Sequence, residues 1–274
     1  MSFHLGVDTH SLQPVACPDM RRLGNPVSDG GYPVPMEAVR RANLLIACGV
    51  SSDWSFERDV QRANPDIKID AYDHTVGRKL FRKWVARGIL SVIGRTLALN
   101  PHGVRASYTK LQTALDYFRF FRGKVQHHQK RVWYNNDRGS VTLFDMLKRA
   151  PDSTACSVFA KIDIEGSEYR LLPDLVDHAE RFSGMVIEFH DIDICADQFN
   201  RCMRELAQHF HVVHVHGNNF SDLSIHHELP LTLEVSFIHK SLLPALPLAL
   251  KSSLPIAGLD MPNDPKQSDY PLHF

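Results

Sequence analysis

Short apolar runs, each closing on an acid, a glycine or an amide, recur along the sequence with helix-like stretches between them. "NLLIACG" (43–49), "IKIDAYD" (67–73), "CSVFAKIDIEG" (156–166), "GMVIEFHD" (184–191) and "HVVHVHGNN" (211–219) share this form. "KVQHHQKRVWY" (124–134) is a more polar strand candidate. Continuous apolar runs of this length suit strands buried on both faces, and those belong to parallel sheets covered by helices. The intervening segments carry helical signals. In "DWSFERDVQRANPD", Phe56 and Val60 stand at i, i+4, Asp53 or Ser55 can cap, and Pro65 closes the run. The pattern predicts an α/β fold, mostly parallel, with helices on both faces. No helical pattern separates 211–219 from "LTLEVSFIH" (231–239), which predicts an antiparallel pair at one edge.

A division into three parts follows. Residues 1–40, with "RLGNPVSDGGYPVP", read as turns and extended lead-in; 41–239 carry the sheet, with a helical insert at about 75–122; 240–274 form a proline-rich tail. Lys and Arg number 31, as do Asp and Glu, so bulk electrostatics do not point to nucleic acid. The five cysteines form no CxxC and read as reduced thiols. The first residues lack the basic and apolar regions of a secretion signal, and no apolar run is long enough for a membrane span. The expectation is a cytoplasmic protein, with homo-oligomerisation open.

In an open parallel sheet, ligands bind beyond the carboxyl ends of the strands where the strand order reverses. Gly49 ends the first run and Asp73 the second, a spacing that suits a nucleotide site, although a tight turn plus a capping acid explains it as well. In "KIDIEG", Lys161, Asp163 and Glu165 fall on one side if the strand persists, and "IEFHD" repeats the spacing with Glu188 and His190. Such charges need a cleft, a cation or one another. The plainer explanation is a salt-bridge network around Lys161, with helix capping by Asp163 or Ser167. His214 and His216 share a strand face at metal-ligand spacing, yet sixteen histidines make such pairs cheap. His127–His128 and His226–His227 are weaker pairs. In "TVGRKLFRKWVARGILSVIGR", basic and aromatic residues mix; a solvated helix face is the first reading, an acidic acceptor or nucleic acid the second.

At "KIDIEGSEYRLL" (161–172) the chain resembles the FkbM-type family of S-adenosylmethionine-dependent methyltransferases, whose signature is Lys-x-Asp-(Ile/Val)-Glu-Gly-x-Glu. "RLGNPVSDGGYPV", "LIACGVSSDWSFE", "GSVTLFDML", "MVIEFHD", "HVHGNNF" and "LTLEVSFI" resemble further segments of that family in order, over roughly 21–239. Ser51 and Ser52 depart from it, standing where glycines are common. The resemblance implies a Rossmann-like seven-stranded methyltransferase sheet with an antiparallel last strand. It implies S-adenosyl-L-methionine across Gly49 and Ser51, with Asp73 on the ribose, and Asp163, Glu165, Glu188 and His190 around the acceptor pocket.

The expected chemistry is O-methylation of a hydroxyl on a sugar or natural product, a small-molecule or glycan acceptor, with His190 as base and Asp163 and Glu165 orienting the acceptor. A divalent cation, Mg²⁺ or Mn²⁺, held by Asp163, Glu188 and His190 is the minority expectation. "SDGGY" (28–32) and the helical insert are candidates for lid and acceptor recognition. Two other classes stay open: a metal-dependent hydrolase on the same cluster, and a catalytically silent binding domain.

Overall fold

A computed structural model describes residues 6–27, 29–97, 101–150, 155–225, 229–244 and 247–274, with side chains described outside 91–104. The chain opens with a short hairpin, β1 (Met20–Gly24) and β2 (Gly31–Pro35), then α1 (Met36–Arg41), β3 (Leu44–Cys48), α2 (Ser55–Ala63) and β4 (Lys68–Tyr72). Two long helices follow, α3 (Arg78–Leu97) and α4 (Pro101–Phe120), then β5 (Val125–His128), β6 (Arg131–Val132), β7 (Ser140–Val141) and α5 (Leu143–Leu147). The second half holds β8 (Val158–Ile162), α6 (Leu172–Asp177), β9 (Phe182–Phe189), α7 (Ala196–Leu206), β10 (Phe210–Gly217) and β11 (Leu233–His239).

Seven strands form one sheet in the order β10-β11-β9-β8-β3-β4-β5. β3, β4, β5, β8 and β9 pair in parallel, and β11 runs antiparallel to both β9 and β10. This is the doubly wound, Rossmann-like sheet expected from the sequence, with its late antiparallel strand inserted one place in from the edge. The chain travels outward from β3 to β5 and then returns to lay β8 on the other side of β3. The order therefore reverses between β3 and β8, and a crevice opens beyond their carboxyl ends.

The apolar runs are continuous because each strand feeds two cores. In β3, Leu44, Ile46 and Cys48 pack into one layer and Leu45 and Ala47 into the other. The lead-in differs from its reading as loop: its prolines and glycines conceal the β1–β2 hairpin, in which Tyr32 and Val34 are fully buried. Strand β5 covers only part of the candidate at 124–134, and residues after it pair as β6 with β7 in a separate small ladder. In the helical insert, Gly88 lets α3 approach α4 closely, since a β-carbon there would lie 3.0 Å from that of Leu111. The C-terminal segment folds back onto the sheet, where Leu254 bridges Leu272 and His214 Nε2 lies 2.7 Å from Asp260 Oδ1.

Candidate active site

At the switch point the backbone is pinned tightly. Asp163 N donates to Cys48 O (3.1 Å) and Gly49 N to Tyr72 O (2.9 Å), so three strand ends are held in register. Gly49 has φ +79, which favours glycine, and its α-carbon faces the carbonyl of Asp163 so closely that no side chain fits between them. The next residues form a loop around the Asp73 carboxylate. Asp73 Oδ2 accepts from Val50 N (3.0 Å) and Ser51 N (2.7 Å), and Oδ1 from the amide (2.7 Å) and hydroxyl (2.6 Å) of Thr75. Burial works against its charge, but these four donors hold its carboxyl below the usual range. Asp53 Oδ1 accepts from Ser55 N (2.8 Å) at the start of α2.

A cavity of about 380 Å³ occupies the crevice. Gly49, Ser51, Asp73, Asp163 and Glu165 line it, as do Asp29 and Gly30 from the lead-in; Ser28 lies outside the described residues. Lys130 and Arg131 face it from beyond β5. Its size falls in the range of small-molecule sites, about 300–1,000 Å³.

Lys161 forms the buried floor of the carboxylate cluster. Its ammonium donates to Gly49 O and, at 3.2 Å, to Asp163 Oδ2. Burial opposes the charge, yet Asp163 and Glu57 outweigh it and hold the ammonium above its ordinary pKa. Glu57, on α2, is itself buried, and desolvation pushes its carboxyl up to about 7.

The Tyr32 hydroxyl lies 3.2 Å from Asp163 Oδ2 and 3.0 Å from Glu188 Oε2. One phenolic proton cannot serve two carboxylates. Burial, with Asp163 and Glu234 nearby, pushes Glu188 well above the usual carboxylate range. The Tyr32 hydroxyl donates to one of the two carboxylates at a time, while Asn218 Nδ2 donates to Glu188 Oε1 at 2.9 Å.

The alternation expected through "KIDIEG" stops at Ile162. Glu165 and Gly166 take positive φ (+54 and +87), so the chain turns and the Glu165 side chain is 88% exposed. The turn wraps around Glu168. Its Oε1 accepts from Ile164 N (2.9 Å) and Gly166 N (3.3 Å), and His190 Nδ1 lies 3.0 Å away. Tyr169 donates to the His190 backbone carbonyl at 2.6 Å, which fixes the main chain that carries the ring. Burial lowers the pKa of His190, but the Glu168 hydrogen bond and the charges of Glu168, Glu188 and Asp163 prevail and raise it to about 9.

Asp163, Glu165 and His190 place one ligand atom each within 4.8 Å of one another, and Glu188 groups instead with Asp29 and Glu234. The trio expected to hold a cation is thus regrouped, and two of its neighbourhood's charges are already positive. His190 is held as imidazolium by Glu168, and Lys161 neutralises Asp163. Two of the donors are carboxylate oxygens of the kind Mg²⁺ or Mn²⁺ takes, but Asp163 is already paired with Lys161.

His214 and His216 lie away from this cavity. His216 Nδ1 is 3.1 Å from Glu234 Oε2 and its Nε2 is 3.0 Å from Asp269, so both histidines tie the C-terminal segment to the sheet. His226 and His227 lie outside the described residues. Tyr32, Glu57 and Asn218 escaped the sequence reading because nothing local marks them. Glu168 was visible as the last acid of "KIDIEGSE", but its partner is 22 residues away.

No protein-family model matches the sequence, and no curated protein matches it. Several solved structures are similar in shape. A chain of a fibrillarin/Nop5p complex is 11% identical, with a TM-score of 0.37 over 79% of this chain and 88% of that one. Precorrin-6y C5,15-methyltransferase from Geobacter metallireducens is 10% identical, with a TM-score of 0.35 over 74% and 85%. A predicted O-methyltransferase from Agrobacterium tumefaciens is 11% identical, with a TM-score of 0.32 over 74% and 79%. The fold assignment stands on the strand order and register themselves.

Proposed function

We propose that the protein is an S-adenosylmethionine-dependent methyltransferase acting on a hydroxyl group of a sugar or natural-product acceptor. One observation carries this reading: the switch-point cavity combines a glycine pinned against the neighbouring strand, a loop locked by Asp73, and the carboxylates of Asp163 and Glu165, with His190 Nε2 standing 3.6 Å from Glu165 outside the lining. The lining suits such a cofactor. Its carboxylates favour a sulfonium and an ammonium, its backbone is open at Gly49, and Lys130 and Arg131 can meet a carboxylate. Gly49 and Ser51 would hold the cofactor. Asp73 is engaged by four donors, and would meet a ribose hydroxyl in place of the Thr75 hydroxyl that donates to it.

When bound, the cofactor supplies an electrophilic methyl group. The chain's own residues then align the acceptor and remove its proton. Asp163, oriented by Lys161 and Tyr32, and Glu165 accept hydrogen bonds from the acceptor. His190 Nε2, flanked by Glu165 and Glu188 at 3.6 and 3.7 Å, takes the hydroxyl proton as the acceptor oxygen takes the methyl. With a pKa of about 9, only about 1% of molecules carry the neutral ring at pH 7. Catalysis through His190 therefore strengthens with pH.

Isothermal titration with S-adenosylmethionine and S-adenosylhomocysteine tests the reading. Micromolar binding that weakens in Asp73→Ala supports it. Absence of heat for both ligands, with the protein folded, sinks it.

A further inference from the structure

The α3–α4 hairpin carries a charge and a surface that the cavity chemistry does not use. Residues 74–115 contain eight Lys and Arg and no Asp or Glu, in a chain whose formal charge is zero. On α3, Lys79, Lys83, Ala86 and Leu90 follow i, i+4, i+7, i+11 and form one stripe, bordered by Arg82, Arg87 and Ile89. All are exposed, Leu90 by 71% and Ile89 by 48%. The opposite side of the helix does the packing: Phe81 is buried and Gly88 meets Leu111. The stripe is therefore not what holds the hairpin in place, and with no acid within 74–115 its cations lack partners along the helix.

We propose that this face of α3 docks the protein on an anionic lipid surface. Lys79, Arg82, Lys83 and Arg87 would meet headgroup phosphates, and Ile89 and Leu90 would enter the boundary with the acyl chains. Grouped cations are drawn to an anionic leaflet, and exposed aliphatic side chains among them can enter the acyl boundary. Single-stranded nucleic acid calls for exposed rings on which bases stack. On α3 the rings are turned away: Phe81 is buried, and Trp84 is half-buried with Lys110 Nζ 5.9 Å from its ring centre. A second copy offering the same face is opposed by like charge. No helix among the described residues is long and apolar enough to cross a membrane, so the contact is interfacial. The hairpin starts directly after His74 and Thr75, which line the cavity, so the docked helix is joined to the cavity wall by a short link.

Flotation of the full chain with vesicles of phosphatidylcholine alone, and of phosphatidylcholine mixed with phosphatidylserine, tests this without any assay of methyl transfer. Binding is expected to the mixed vesicles and not to the neutral ones, and to fall with added salt. Lys79→Ala with Lys83→Ala should weaken partitioning about 30-fold, and Leu90→Ser about tenfold, each with an unchanged thermal midpoint. Equal partitioning into both vesicles, no flotation, or anionic binding that survives both variants overturns the proposal. So does a gel shift with single-stranded RNA, or a concentration-dependent dimer in sedimentation, that these variants abolish while flotation is absent.

Discussion

A β-carbon placed on Gly49 would stand 1.8 Å from the carbonyl oxygen of Asp163. The ends of β3 and β8 meet there with room for a hydrogen atom and nothing larger. Gly49→Ala must separate two paired strands and also force alanine into φ +79. A loss of about 3 kcal/mol or more in urea unfolding is expected, with loss of S-adenosylhomocysteine binding. Gly123→Ala is the control: its φ is +63 but its β-carbon would meet nothing within 4 Å, so only the backbone cost of about 1–2 kcal/mol remains. Equal losses in the two variants would remove the tight approach from the account.

His190 should titrate near pH 9, and Glu168 is the main reason. Glu168→Gln removes the carboxylate that stabilises the imidazolium, so the pKa should fall toward 6.5. Proton NMR of the imidazole C–H follows this directly. In methyl transfer, kcat/KM should climb through about pH 9 in the wild type, and the climb should move to lower pH in the variant. A wild-type profile flat from pH 7 to 10 would exclude His190 as the base.

The clamp on the C-terminal segment should loosen in alkali. Burial disfavours the charge of His216, but Glu234 and Asp269 overcome this and raise its pKa from 6.5 to about 10. A raised pKa means that the stabilisation is complete below about 6.5 and is lost as pH rises through about 10. His216→Asn leaves Glu234 and Asp269 without their cation and should cost about 3 kcal/mol at pH 6. Urea unfolding at pH 6 and pH 10 should show the gap between wild type and variant shrinking at the higher pH.

Glu57 works in the other direction. Burial raises its pKa from 4.5 to about 7, and one of its oxygens has no hydrogen-bond partner among the described residues. For an acid shifted upward, stability declines as pH rises from 4.5 through 7 and is level above that. Glu57→Gln removes this decline. It should match the wild type near pH 4.5 and exceed it by about 1–3 kcal/mol at pH 8, read as a rise in thermal midpoint that grows with pH. A variant less stable than wild type at pH 8 would mean that the charge of Glu57 beside Lys161 outweighs its burial.

The strands were legible because burial on both faces leaves a local mark. "NLLIACG" and "GMVIEFHD" are apolar without alternation, and each became a strand feeding two cores. The helix after Asp53 was legible through the Phe56–Val60 spacing, although its N-cap is Trp54 and not Asp53 or Ser55. The β1–β2 hairpin was not, since the proline and glycine that suggest a loop are tolerated in a two-stranded ladder, and the burial of Tyr32 depends on strands 150 and more residues away. Glu165 was placed on the strand face by alternation, but two positive φ values turned it out to solvent.

The sequence by itself determined the α/β class, the positions of the strands in the seven-stranded sheet and the residues with polar side chains at their ends, because periodicity and turn chemistry are local. Only the tertiary structure decided how those side chains pair. Strand order brought Glu168 to His190, Tyr32 between Asp163 and Glu188, and Glu234 and Asp269 to His216. Charge states follow from those pairings, since desolvation and Coulomb forces depend on distances through space and not along the chain.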